Sequence, residues 1–363
     1  MRTHVFAALA IAAALSGTAL ARTAPEVAVV EGASACGGAG YTLIATSARR
    51  SCVHSSADSY DAALQARFAG VAPVTAPPVC YGNGQSGSRV QMIYGYAEGQ
   101  PNRAAATVPE IRLLMAPRMQ AVVKAASAGK DLGIRFAFDA PCARLSVPVV
   151  KFPASTIAGT SADGQFGKMI TVLKKLGYTR TDRKYQVIWD WWNDKGICGL
   201  GELGPTFDQP TAANLHNGSP TVGSHTDVVS ALGLQDVAQV PQYSAVWRHA
   251  YTPRGPSCFE LDQSHVGGQV HELFHTLGAV QLSAPHSDGA GHCTDTPSVM
   301  CGGYGVVSVP ACAAVKVQVL DCGLDDYWNP APAQGSYLAT HDNIATSAFF
   351  GPQTADRLVG APF

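Results

Sequence analysis

An α+β fold is what this sequence predicts: a mixed, twisted sheet with helices packed on it, followed by a loop-rich subdomain stapled by disulfides. Three observations carry the expectation. Strand-like and helix-like segments alternate between residues 89 and 192. A short helix-compatible run at 269–277 follows, opening the chain's densest group of histidines. Six of the ten cysteines lie beyond residue 190, in stretches rich in Gly, Pro, Asn and Ser.

The chain divides into three segments. In residues 1–4 the one fixed side-chain charge is Arg2, residues 5–20 are apolar and small, and Ala19-Leu20-Ala21 supplies an A-x-A site. This is the pattern of a secretory signal peptide cleaved after Ala21. The run is short for a membrane span and ends in small residues, and no later segment is apolar enough to cross a bilayer. The mature chain is therefore expected outside the cytoplasm, secreted or periplasmic. Residues 22–79 carry Cys36 and Cys52 and end in a Pro-rich linker at 72–78, so they read as a pro-segment or a small stapled module. Residues 80–363 form the main domain.

Within that domain, residues 89–96 read as a strand. Residues 109–128 read as a helix, with Ile111, Leu114, Met115, Met119, Val122 and Val123 at helical spacing and Gly129 as its stop. Strands follow at 132–138 and 145–152, then a helix at 166–176 ended by Gly177, then a strand at 185–192. This β-α-β-β-α-β order is what predicts a sheet covered by helices. Alternation in Ile188-Trp189-Asp190-Trp191 points to core packing of the tryptophans on one face rather than to carbohydrate stacking. Residues 197–262 and 281–334 read as irregular. No internal repeat is visible.

Charged residues make up 14% of the chain, and 25 basic against 26 acidic side chains leave a net charge of −1. A chain so balanced offers no basic surface for nucleic acid or an anionic membrane. Ten cysteines, an even number with no C-x-x-C pair, favour disulfides over a thiolate cluster. Pairing of sequence neighbours is expected, which would let Cys293–Cys301 clamp the loop after the histidine-bearing helix. The alternative for Cys80, a zinc-blocking thiol in a pro-segment, would leave an odd cysteine.

The chemistry is concentrated in His271-Glu272-Leu273-Phe274-His275. Residues four apart on a helix share a face, so both imidazoles can reach one ion, and Glu272 projects beside it as a general base. Catalytic zinc takes three protein ligands and keeps one position open. In the longer pattern H-E-x-x-H-x-x-G-x-x-H a glycine ends the helix and a third histidine swings back. Gly278 occupies the glycine position here, but Gln281 stands at the ligand position. His286, in Ala284-Pro285-His286, is the expected third ligand, because the residue before proline avoids helix and frees the chain to fold back. His292, Gln281 and Asp295 remain alternatives. Asp321, Asp325 and Asp326 raise the question of a Ca2+ site, but their spacing is not that of an EF-hand, and they read better as a polar surface loop.

These residues, continuing through Gly278-Ala279-Val280-Gln281, Ala284-Pro285-His286, His292-Cys293-Thr294-Asp295 and Val299-Met300-Cys301, resemble a family of bacterial secreted, metzincin-like zinc metallopeptidases. The resemblance extends over about residues 80–350, with further landmarks at 80–84, 198–201, 321–327 and 335–338. It implies a zincin fold, one catalytic Zn2+, and an endopeptidase, monomeric, acting on a protein or peptide substrate with Glu272 as general base. It also implies a methionine turn at Met300 beneath the metal, and it brings in Tyr304 as a candidate transition-state stabiliser. Gly302 stands where family members usually have the tyrosine that follows Met-Cys. Two rival readings stay open: a zincin-fold protein that binds without cleaving, which the Gln281 substitution favours, and a cell-wall peptide hydrolase.

Overall fold

The computed structural model describes residues 77–159, 161–194, 196–202, 241–250, 258, 267–295, 298–301 and 320–351, together with the backbone of three N-terminal strands. Those strands, β1 (Ala28–Glu31), β2 (Tyr41–Thr46) and β3 (Arg49–His54), form an antiparallel sheet in that order. The expected signal segment and its cleavage site, the rest of the 22–79 segment up to residue 76, and Gly302 and Tyr304 lie outside the described residues.

The described residues from 77 onward are mixed α/β around a five-stranded, mostly parallel sheet. Strand β4 (Arg89–Ala97) leads into helix α1 (Ala104–Glu110), a π-helical turn (Ile111–Met115) and helix α2 (Ala116–Ala125). The slip to π-helical bonding lies between Pro109 and Pro117, each of which withholds an N–H from the helical ladder. The helix begins five residues earlier than its apolar spacing predicts. Asn102 Oδ1 accepts the Ala104 N–H and the Arg103 N–H donates to Tyr94 Oη, so the first turn is anchored before Pro109. Strands β5 (Gly133–Ile134) and β6 (Val149–Phe152), helix α3 (Ala162–Lys175) and strand β7 (Arg183–Asn193) follow. Gly177, two residues past α3, has φ +88°, as a helix stop requires.

The segment expected to be loop contains two strands. These are β8 (Gly199–Gly201) and β9 (Gln242–Ala250), and the sheet order is β6-β4-β7-β9-β8. All neighbours are parallel except β8, an antiparallel edge on β9 with Gly199 opposite Val246 and Gly201 opposite Ser244. Alternation along the strands divides the side chains between two cores. Val90, Met92, Tyr94, Ile188 and Val246 face the α1–α2 unit, while Ile93, Val187, Trp189, Ala245 and Trp247 face Phe166, Met169 and Leu173 of α3. Trp189 is thus core, edge-on to Phe152 at 4.9 Å. A Cβ on Gly95 would stand 2.8 Å from Phe152 and 2.9 Å from Trp189, so glycine in mid-strand makes room for that pair.

Helix α4 (Gly267–His275) covers the first core with Val270, Leu273 and Phe274. The C-terminal segment packs beneath it. Strand β10 (Phe350–Gly351) pairs antiparallel with β5, and Phe274 meets Tyr327, Trp328 and Phe350 at centroid distances of 6.2, 6.1 and 6.0 Å. Buried Asp190 ties the ends of β4, β7 and β9 together: it accepts from Tyr94 Oη, Arg103 and Arg248. Two guanidiniums against one carboxylate satisfy its burial. Disulfides join Cys80–Cys142, Cys198–Cys258 and Cys293–Cys301, as neighbour pairing predicts, and exclude a free thiol at Cys80. Cys322 is also disulfide-bonded. No helix among the described residues is long and apolar enough to cross a membrane.

Candidate metal centre

One face of α4 enters the core, and the other presents His271, Glu272 and His275, all buried. The helix stops one turn later by a paired closure: the Ala279 N–H donates to Phe274 O and the Gly278 N–H to His275 O. Gly278 has φ +98°, a conformation that the Cβ of other residues disfavours. From here the chain runs out and returns as a hairpin. The Asp288 N–H donates to His292 O, the Thr294 N–H to His286 O, and Ser287 bridges to Cys293, around the turn containing Gly289 and Gly291.

The return limb brings His292 to the helix. Nitrogens of His271, His275 and His292 lie within 4.8 Å of one another, all three residues buried. Nε2 atoms of His271 and His275 are 2.9 Å apart, and the His292 ring is 5.1 and 5.0 Å from theirs. The far nitrogens of two rings are occupied. His271 Nδ1 is 2.9 Å from Val299 O, and His292 Nδ1 is 3.5 Å from Asp288 Oδ2. With a proton on each Nδ1, both rings present Nε2 lone pairs inward, the arrangement in which a carbonyl or carboxylate fixes a ligand's tautomer. Burial raises the Asp288 pKa, but the hydrogen bond and charge of His292 and the N–H groups of Ala290 and His292 outweigh it and hold the carboxyl below the usual range.

His286, the expected third member, is not in the group. It stands on the outward limb, where its N–H donates to Asp326 Oδ1 and its Nδ1 is 3.2 Å from Asp326 Oδ2. Gln281 donates to Gly278 O across the helix end. Asp295 faces His286 and Asp326 rather than the histidines. Met300 is fully buried in a hydrogen-bonded turn over residues 298–301, and the carbonyl preceding it is the one that meets His271. Asp321 and Asp326 are buried, not surface residues as the sequence reading had them. Asp321 Oδ2 accepts three N–H groups, from Asp326, Tyr327 and Trp328, which fold that segment around it.

Two contributions lie outside the histidine motif. Edge strand β8 lies flat against α4: a Cβ on Gly199 would overlap the Glu272 carboxylate, and one on Gly201 would stand 2.5 Å from Glu272 O and 2.9 Å from His275 Cβ. The glycines let a sheet edge and the Glu272 side chain share one wall. Asp288 is the other, readable only as the Asp-Gly that opens the hairpin turn.

No protein-family model and no curated protein matches the chain. Among solved structures it is similar to OgpA from Akkermansia muciniphila, at 13% identity and a TM-score of 0.32, with 73% of this chain and 69% of that one covered. A second crystal form of OgpA gives 13% identity and a TM-score of 0.29, covering 71% of this chain and 68% of that one. Metalloproteinase-II from Bacteroides fragilis gives 11% identity and a TM-score of 0.26, covering 75% and 73%. At these scores the reading of the site rests on its own residues.

Proposed function

We propose that this protein is an exported zinc-dependent endopeptidase of the zincin type, with His271, His275 and His292 as ligands and Glu272 as general base. The observation that carries the reading is the convergence of three buried imidazoles beside a carboxylate on the same helix. The donor set fits the ion: neutral nitrogens suit Zn2+, and three protein ligands leave a position open. A zinc ion held by these three residues would acidify water and polarise a carbonyl. Glu272, one residue from His271 and walled by Gly199, takes the proton from the attacking water and passes it to the leaving amine.

The case for a protein that binds metal without cleaving rested on the missing third imidazole, and His292 supplies one. Metal analysis and cleavage of a quenched peptide library, in wild type and Glu272→Gln, test the proposal. The variant should keep its zinc and lose about 10²–10⁴-fold in kcat. A zinc-free wild type, or full turnover by the variant, rejects it.

A further inference from the structure

We propose that His286, Asp295, Asp325 and Asp326 form a second cation site, separate from the three histidines, which takes one divalent ion preferring oxygen ligands, Ca2+ first. Each residue offers one ligand atom, and all four atoms lie within 4.8 Å of one another. From His286 Nδ1 the carboxylate oxygens stand at 3.2 Å (Asp326), 3.8 Å (Asp325) and 4.0 Å (Asp295). Donors sharing an ion through bonds of about 2.1–2.4 Å stand roughly 3–4 Å apart, so the cluster already has the spacing of a coordination shell.

The second observation is independent of the clustering. Asp295 is fully buried, and its Oδ2, which faces the cluster, accepts no hydrogen bond among the described residues. Its Oδ1 lies 2.8 Å from Cys301 Sγ, a disulfide sulfur with no proton to give. Buried carboxylate oxygens without donors are costly. His286 brings at most one positive charge against three carboxylates. An approach exists, since the His286 side chain is 31% exposed and that of Asp325 39%. Bound there, an ion would join the hairpin carrying His292 to the segment folded around Asp321.

The test uses the mature protein carrying one equivalent of zinc, titrated with Ca2+ and separately with Mn2+, with bound ion and Tm as readouts. Neither readout needs peptidase activity, so the two proposals can fail separately. One ion bound per chain beyond the zinc, with a raised Tm, is the expected result. Asp325→Asn and His286→Ala, changes at partly exposed positions, should each weaken that binding at least tenfold and leave the zinc in place. Uptake of Mn2+ in preference to Ca2+ would support the site with the imidazole as a direct ligand. No uptake of either ion, or full affinity in both variants, overturns it.

Discussion

Replacing His292 by alanine separates a metal centre of His271, His275 and His292 from one built on His286. His292 is 1% exposed, and its ring is about equidistant from His271 and His275, at 5.1 and 5.0 Å. The change removes one of three neutral donors and leaves Asp288 facing the space. Loss of a partner that merely orients a ligand costs about 10–100-fold in metal affinity, so loss of the ligand itself should exceed about 100-fold. That is more than about 2.8 kcal/mol at about 1.4 kcal/mol per decade. His286→Ala should leave zinc affinity unchanged, because that ring faces Asp326. Asp288→Asn should fall between them, within the 10–100-fold range of an orienting partner. Competition against a chromophoric chelator reads the affinities, and circular dichroism confirms that each variant is folded. Wild-type affinity in His292→Ala together with its loss in His286→Ala would refute His292 as the third ligand.

Further outcomes follow from the same geometry. Gly199→Ala puts a Cβ into the Glu272 carboxylate; displacement of a catalytic group by about 1 Å can cost about 10²-fold, so kcat/KM should fall by that order with zinc retained, and unchanged activity would show that β8 does not wall the site. Gly278→Ala must adopt φ +98° with its Cβ 3.0 Å from Asp342 Oδ2, at a cost of about 1–3 kcal/mol, seen as a lower denaturation midpoint. In cation-free protein, burial together with Asp326 and Asp325 outweighs the Tyr327 and Trp328 N–H groups and pushes the Asp321 carboxyl up to about 7. Asp295 is raised as well. The native state then holds more protons than the unfolded chain between about pH 4 and 8, so the stability these groups contribute is full below that window and is lost as pH rises through it. A midpoint in denaturant that rises from pH 5 to 7 would contradict this.

Much of the fold was legible because its signals are local. The β4 and β7 strands and the α3 and α4 helices stand within a few residues of where periodicity places them. The β9 strand was not read, although Tyr243, Ala245 and Trp247 face one core and Val246 the other, the alternation of a strand. Its short apolar run stands between Pro241 and Pro253, and such a strand announces itself only through the neighbours it pairs with. The β8 strand has no propensity to read at all. Gly199-Leu200-Gly201 is poor strand sequence, and its glycines answer to Glu272, seventy residues away in the chain, not to any preference of their own.

The metal centre divides along the same line. His271 and His275 are fixed by the pitch of one helix, so sequence spacing suffices for them. The third imidazole depends on where a loop turns back, and proximity along the chain favoured His286 because the Pro285 break frees the chain there. What the break begins is a hairpin, and the residue that reaches the helix is on its returning limb. The turn itself left a trace: Asp288-Gly289, with Gly291 two residues on, is turn sequence, and Asp288 Oδ1 accepts the N–H groups of Ala290 and His292. One carboxylate thus closes the turn with one oxygen and faces the imidazole with the other, at 3.5 Å. The carboxylate that sets the path of the backbone thus also faces the His292 ring. A turn acid four residues before a histidine therefore carries information about metal geometry that the histidine alone does not.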